Sequence, residues 1–201
     1  MSTSVTNAGQ PSAGILIIGD EILSGRTHDV NTHLLAKKLT DIGINLIEVR
    51  VVSDNQLAIV SAINALRDKY TYLFTSGGIG PTHDDITADS IAVAFEVGIS
   101  IREDAKRILS TNYIDGEKAL NDSRLRMARI PDGADLIDNP ISKAPGFSLE
   151  NVYVMAGVPL IFEAMVDSIL PNLIGGPPLL SVTIKCPKPE GDIAMALGKV
   201  A

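Results

Sequence analysis

Short apolar runs alternating with helix-spaced segments set the fold class of this chain. Gly14-Ile-Leu-Ile-Ile-Gly19 is a continuous apolar stretch between glycines, the pattern of a strand covered on both faces. A helix is expected over about 30–42, where Leu34, Leu35, Leu39 and Ile42 fall on one face and Gly43 supplies the stop. Ile44–Val52 then reads as a strand, Gln56–Lys69 as a helix buried through Ile59, Ile63 and Leu66, and Tyr72–Thr75 as a third strand. Such alternation marks an α/β domain whose mostly parallel sheet is covered by helices.

Beyond a further helix starting near Thr87, the stretch Arg102–Arg129 reads as helical and Ile130-Pro-Asp-Gly133 as a turn. Asn151–Ala156 is another strand, and Gly157-Val-Pro159 opens a helix that Pro171 halts after about Leu170. Residues 1–13 are small and polar and read as a loose tail, leaving 14–174 as the α/β domain. After Gly175-Gly-Pro-Pro178 the pattern changes to a strand over Leu180–Cys186 and a helix over Ile193–Leu197. That is the start of a small second α+β element over 175–201, cut short at Ala201, so a longer natural chain is expected. There are no internal repeats.

A net charge of −7 argues against broad attraction to nucleic acid or anionic lipid. It leaves open a small anionic ligand held by one local loop. The basic residues of 102–129 are interrupted by acids and lack aromatic partners, so they read as a solvated helical surface. Cys186 is the single cysteine, which excludes an intrachain disulfide and a cysteine-rich zinc site. No apolar run approaches the ~20 residues of a membrane span, and the amino terminus lacks the pattern of a signal peptide. A cytoplasmic protein is expected.

Ligands of parallel α/β sheets sit outside the carboxyl ends of the strands. Three segments should fall there: Gly19-Asp-Glu21, Ser76–Asp85 and Gly157-Val158-Pro159. Gly77, Gly78 and Gly80 permit a close ligand approach, and their N–H groups can converge into an anion-binding nest. Ser76 and Thr82 add hydroxyl donors. Asp84 and Asp85 would repel a phosphate unless a divalent cation lay between, and Mg²⁺ favours one or two carboxylates plus phosphate oxygens. The plainer reading has the two acids favouring a helix N-terminus. Asp20 and Glu21 are likewise either helix-start residues or, for Glu21, a third candidate acid. His28, His33 and His83 show no metal-ligand spacing, and His83 reads as a solvent-facing spacer.

Gly19-Asp-Glu-Ile-Leu-Ser-Gly25 with Asp29-Val-Asn31, the run Thr75–Thr87, and Gly157-Val-Pro159 resemble the molybdopterin-binding domain family. Within it, the chain is similar to the amino-terminal domain of the competence/damage-inducible proteins. Arg126–Pro131, Ala144-Pro-Gly-Phe147 and Asn151–Ala156 also resemble the corresponding domain of FAD synthases. The resemblance spans about Gly14–Leu170. It implies a three-layer α/β fold with a mixed sheet and assembly into a homo-oligomer. Relatives bind molybdopterin, sometimes adenylylating it, or act as metal-dependent pyrophosphatases on ADP-ribose or hydrolyse FAD. The deamidase domain of full-length competence proteins and the adenylyl-transfer domain of FAD synthases have no counterpart here, so neither activity is expected.

Under the first of three readings, the chain is a metal-dependent nucleotide pyrophosphatase. Asp84 and Asp85 hold Mg²⁺, or Co²⁺ or Mn²⁺, and Glu21 assists metal or water. Gly19, Ser76, Gly77, Gly78, Gly80 and Thr82 surround the phosphate, Asn31 orients a polar ligand group, and Gly157, Val158 and Pro159 cap a second phosphate or the base. A second reading makes the same pocket a molybdopterin-binding module without hydrolase activity. A third is an oligomerising scaffold, which the double Asp disfavours.

Overall fold

The computed structural model describes residues 10–177 and 185–199. The glycine-flanked run is a strand, and it starts two residues earlier than expected: β1 spans Ser12–Ile18, so Ser12 and Ala13 belong to the domain rather than to a tail. There follow α1 (Asp20–Leu23), α2 (Asn31–Asp41), β2 (Asn45–Val52), α3 (Gln56–Arg67), β3 (Tyr72–Ser76) and α4 (Thr87–Phe95). The middle of the chain holds β4 (Ile99–Ile101), α5 (Glu103–Ser110), α6 (Asp122–Arg126) and β5 (Arg129–Pro131), with a 3-10 turn at Gly116–Ala119. Then come β6 (Asp135–Ile137), β7 (Gly146–Leu149), β8 (Val152–Met155), α7 (Pro159–Ile169) and α8 (Glu190–Leu197). The strand expected at Leu180–Cys186 lies almost wholly outside the described residues, and α8 covers the helix expected at Ile193–Leu197.

Six strands form one sheet in the order β2-β1-β3-β8-β7-β6. The first four are mutually parallel, while β7 runs antiparallel to both neighbours. The mixed, mostly parallel sheet is therefore as expected, but β6 and β7 are absent from the sequence reading. At three and four residues they are too short for periodicity to reveal. Similarly, Ile130 and Pro131 belong to β5, which pairs with β4 away from the main sheet, and only Asp132 and Gly133 turn.

Alternation along β1 splits the core into two halves. Ala13, Ile15 and Ile17 join Leu35 and Leu39 of α2 and Phe162, Met165 and Val166 of α7 on one face. Leu16 and Ile18 face Ile59, Ile63 and Leu66 of α3 and Ile91 of α4 on the other. The result is three layers, helix on sheet on helix. Both faces of β1 are buried from Ala13 on, which is why Ala13–Ile18 is uninterrupted by polar residues.

At the edge strand β2, Glu48 gathers three donors. Lys69 Nζ lies 2.8 Å from its carboxylate, Arg50 Nη2 2.6 Å and Tyr70 Oη 2.7 Å. The Lys69 ammonium, then the Arg50 guanidinium and the Tyr70 hydroxyl, hold this carboxyl down at about 2, against an ordinary 4.5. A carboxyl depressed in the fold stabilises it fully above the unfolded pKa and loses that contribution as pH falls through the folded one. Glu48→Gln should therefore melt below the wild type at pH 7, and the gap should close between pH 4.5 and 2. Thermal melts across that range check it.

Candidate functional site

Because β1, β3 and β8 are adjacent and parallel, their carboxyl ends bring Gly19–Glu21, Ser76–Asp85 and Gly157–Pro159 to one edge of the sheet. Packing there is backbone on backbone. Gly77 has φ 109° and a Cβ on it would stand 2.3 Å from the Ile18 carbonyl oxygen. A Cβ on Gly157 would stand 3.2 Å from Gly77 Cα. Gly78, at φ 69°, leaves the room that Thr87 occupies: a Cβ would lie 2.1 Å from the Thr87 hydroxyl. That hydroxyl donates to the Gly77 carbonyl at 3.0 Å, while Thr87 N–H donates to Gly78 O at 2.9 Å. The first residue of α4 thus clamps the glycine loop. Thr87→Val keeps the shape and strips one carbonyl of its donor, at an expected cost of about 1–3 kcal/mol, measurable by denaturant titration.

An open cleft of about 480 Å³ lies over this edge. Glu21, Gly77, Gly78, Gly80, Asp85, Gly157, Val158 and Pro159 all line it. The N–H groups of Gly78, Ile79 and Gly80 donate to nothing among the described residues, and neither do those of Gly157 and Val158 just before α7. Unpaired N–H groups at a glycine turn and a helix N-terminus are chemically able to accept an anion. Below the cleft, Asn31 brackets the strand ends: its Nδ2 donates to Ser76 Oγ and to Gly157 O, each at 2.8 Å. Asn31 and Ser76 line a smaller pocket beside the cleft rather than the cleft itself. Gly19 is set back, its N–H donating to Val52 O at 3.1 Å.

The two loop acids do different things. Asp85 turns back into the loop, its carboxylate accepting from Thr82 N–H at 2.8 Å and Thr82 Oγ1 at 2.6 Å. Asp84 points outward, with 61% of its side chain exposed. The Thr82 hydroxyl, ahead of its own backbone N–H, holds the Asp84 carboxyl below its ordinary range. One hydroxyl proton serves one acceptor at a time, and the 2.6 Å contact assigns it to Asp85. His83 is fully exposed, as a spacer should be. Asp20 and Glu21 form the first turn of α1, so Glu21 is both a helix-start residue and part of the cleft wall.

Three site-building residues were given no role at the site by the sequence reading. Asp54 accepts the Asp20 N–H at 2.9 Å. Burial pushes its carboxyl above the ordinary range, and the charges of Asp20, Glu21 and Asp84 push the same way, against that hydrogen bond. Arg126 on α6 donates to the carbonyls of Thr82 at 3.1 Å and Asp85 at 3.0 Å, latching the loop from behind. Asn139, 1% exposed, shapes the opposite wall by donating to Ser142 Oγ and Ala144 O and accepting from Ile141 and Ser142 N–H. An Asn-Pro pair ahead of Ala144-Pro-Gly-Phe147 was the available signal for that last wall.

No group of three or more His, Cys, Asp or Glu side chains is gathered as for a metal ion among the described residues. No helix among them is long and apolar enough to cross a membrane.

The sequence model described as a probable molybdopterin binding domain matches residues 14–175. A protein of Metallosphaera sedula is 34% identical over 168 residues, covering 81% of this chain and 63% of that protein. The probable FAD synthase of Caenorhabditis briggsae is 34% identical over 182 residues, covering 81% of this chain and 35% of the synthase. This chain thus spans less than two thirds of either relative. The CinA protein of Thermoplasma acidophilum has a TM-score of 0.75 at 31% identity, over 81% of this chain and 97% of that one. MoaB of Thermus thermophilus shares the fold at 14% identity, with a TM-score of 0.53 over 81% of this chain and 91% of its own. With its three-layer fold and the glycine loop at the edge of β1, β3 and β8, the chain belongs to the molybdopterin-binding domain family.

Proposed function

We propose that the cleft binds the phosphates of a nucleotide-like ligand and that the domain hydrolyses a nucleotide pyrophosphate such as ADP-ribose or FAD. The observation that carries this reading is the set of unpaired N–H groups at Gly78–Gly80 and Gly157–Val158 around one cleft. They can accept phosphate charge and take up more as it develops at the phosphoryl group. Among the described residues no lysine lines the cleft, so backbone dipoles would do most of this work.

The carboxylates fit a divalent cation of the kind that shares its ligands with phosphate, rather than one caged by protein alone. Exposed Asp84 and Glu21 of the cleft wall, whose charges both reach Asp54, would hold it, with Asp85 bound into the loop. When bound, such a cation supplies charge neutralisation and an activated water. Among the chain's own groups, Asp85 and Arg126 keep the loop in shape and Asn31 fixes the strand ends.

A second reading, a molybdopterin-binding module without hydrolysis, draws support from the commitment of Asp85 to Thr82 and from the lack of a gathered metal cluster among the described residues. One experiment separates the two: incubation with ADP-ribose and FAD, with and without Mg²⁺, Co²⁺ or Mn²⁺. Metal-dependent release of AMP supports hydrolysis; intact dinucleotides together with tight retention of a pterin support the module.

A further inference from the structure

The two edges of the main sheet are built differently. At one edge β6 is three residues long with Asp135 exposed, short and charged as protected edges are. At the other, β2 is eight residues long, holds no proline and pairs only with β1 among the described residues. Val52 O accepts the Gly19 N–H on the β1 side. Backbone groups alternate in direction along a strand, so those of Arg50 also face β1, while the N–H and C=O of Val49 and Val51 face outward. No described residue bonds to them. On the same strand Ile47 and Val49 are 59% and 48% exposed. Open hydrogen-bonding groups beside exposed β-branched side chains are a template for another strand.

The order of residues on β2 says which strand that is. Ile47-Glu48-Val49-Arg50-Val51 is self-complementary about Val49. When a second copy lies antiparallel with Val49 opposite Val49, Glu48 falls opposite Arg50 and Ile47 opposite Val51, each pair occurring twice. The outward N–H and C=O of one Val49 then bond reciprocally with those of the other. Moving the axis by one residue, to Glu48 or to Arg50, sets like charges directly opposite each other, which is destabilising. A register shift against β1 leaves Ile47 as an extra residue, but pairing is regular over Glu48–Val52, where the axis lies. The charges are also set in place beforehand. Arg50 Nη2 stands 2.6 Å from the Glu48 carboxylate, and Arg50 Nη1 donates to nothing among the described residues, so it is free to reach across.

We propose that β2 is a self-pairing edge, through which two copies of this chain associate about a two-fold axis at Val49 and join their six-stranded sheets into one. The occupant is a second copy because the strand complements itself in charge as well as in shape. Strands of the two copies run in opposite directions, so their clefts open at opposite ends of the joined sheet and neither needs a residue of the other. The inference does not depend on what the cleft binds. One strand edge is a small interface, so association should be reversible and concentration-dependent.

Sedimentation velocity across a range of concentrations, with amide hydrogen exchange at both ends of that range, tests it. The wild type should pass from monomer to dimer, and the Val49 and Val51 amides should exchange about tenfold more slowly in the dimer, the scale of one hydrogen bond. The Arg50 amide, which faces β1 in either state, should change far less. Val49→Lys sets two ammonium groups opposite each other at the axis and should leave a monomer. Ile114→Lys, which replaces a fully exposed apolar side chain on the loop after α5, should dimerise as the wild type does. A monomer at every concentration overturns the inference. So does a dimer that Val49→Lys leaves intact, or one whose Val49 and Val51 amides exchange as fast as in the monomer, because its interface then lies elsewhere. The exchange comparison decides in the wild type even if Val49→Lys does not fold.

Discussion

Gly77→Ala should lower the melting temperature by roughly 6–12 °C, the shift expected for about 3 kcal/mol in a domain of this size. Two penalties coincide there. At φ 109° the backbone is in a region that side-chain-bearing residues avoid. The new Cβ also meets the Ile18 carbonyl oxygen at 2.3 Å, a backbone atom of β1 that cannot swing aside as a side chain could. Neither partner can retreat, because Gly77 N–H is bonded to Met155 O at 3.1 Å and Gly77 O to the Thr87 hydroxyl at 3.0 Å. Phosphate affinity should fall as well, since the N–H groups that follow Gly77 would be re-aimed. Gly25→Ala is the control: it also has positive φ, at 73°, but no atom lies within 4 Å of its Cβ position. It should cost about 1 kcal/mol, from backbone conformation alone. If the two variants melt together, steric crowding at the strand ends is not what the glycine serves.

The contrast between those two glycines shows what was legible in the sequence. Both are simply glycines on paper; their difference lies in what stands opposite, and that is set by strands some 60 and 80 residues apart in the chain. The long elements were readable because Ile15–Ile18 is an unbroken apolar run and the faces of α2 and α3 carry helical periodicity. It also follows from the alternation that β1, β3 and β8 end on one edge, so the cleft could be located before its walls were known. Asp54, Arg126 and Asn139 could not be found this way. Asp54 and Arg126 act through backbone groups distant in sequence and Asn139 through a local turn, and an isolated Asp, Arg or Asn in a polar stretch has no periodic mark. Asp84 and Asp85 are the opposite case: the pair was conspicuous, but adjacency concealed that one side chain folds inward to Thr82 and the other faces solvent.

That division of labour makes the loop acids separable by experiment. Asp84→Asn removes a charge from a solvent-facing side chain that no described hydrogen bond needs, so the melting temperature should stay within error of the wild type. Under the hydrolase reading, metal-dependent AMP release should drop by about 100-fold, the scale for removing one group that stabilises developing charge. Asp85→Ala should act earlier in the chain of causes. It deletes the acceptor for both Thr82 N–H and Thr82 Oγ1, loosening the turn at a cost of about 1–2 kcal/mol. Phosphate binding should weaken with and without metal, because the unpaired N–H groups lose their fixed aim. The readouts are thus a melt, a metal-free phosphate titration and a turnover assay on each variant. Asp84→Asn should move only the turnover, whereas Asp85→Ala should move all three. If Asp84→Asn keeps full metal-dependent turnover, Asp84 is no part of the chemistry, and the carboxylates at this edge are helix-start residues and loop braces alone.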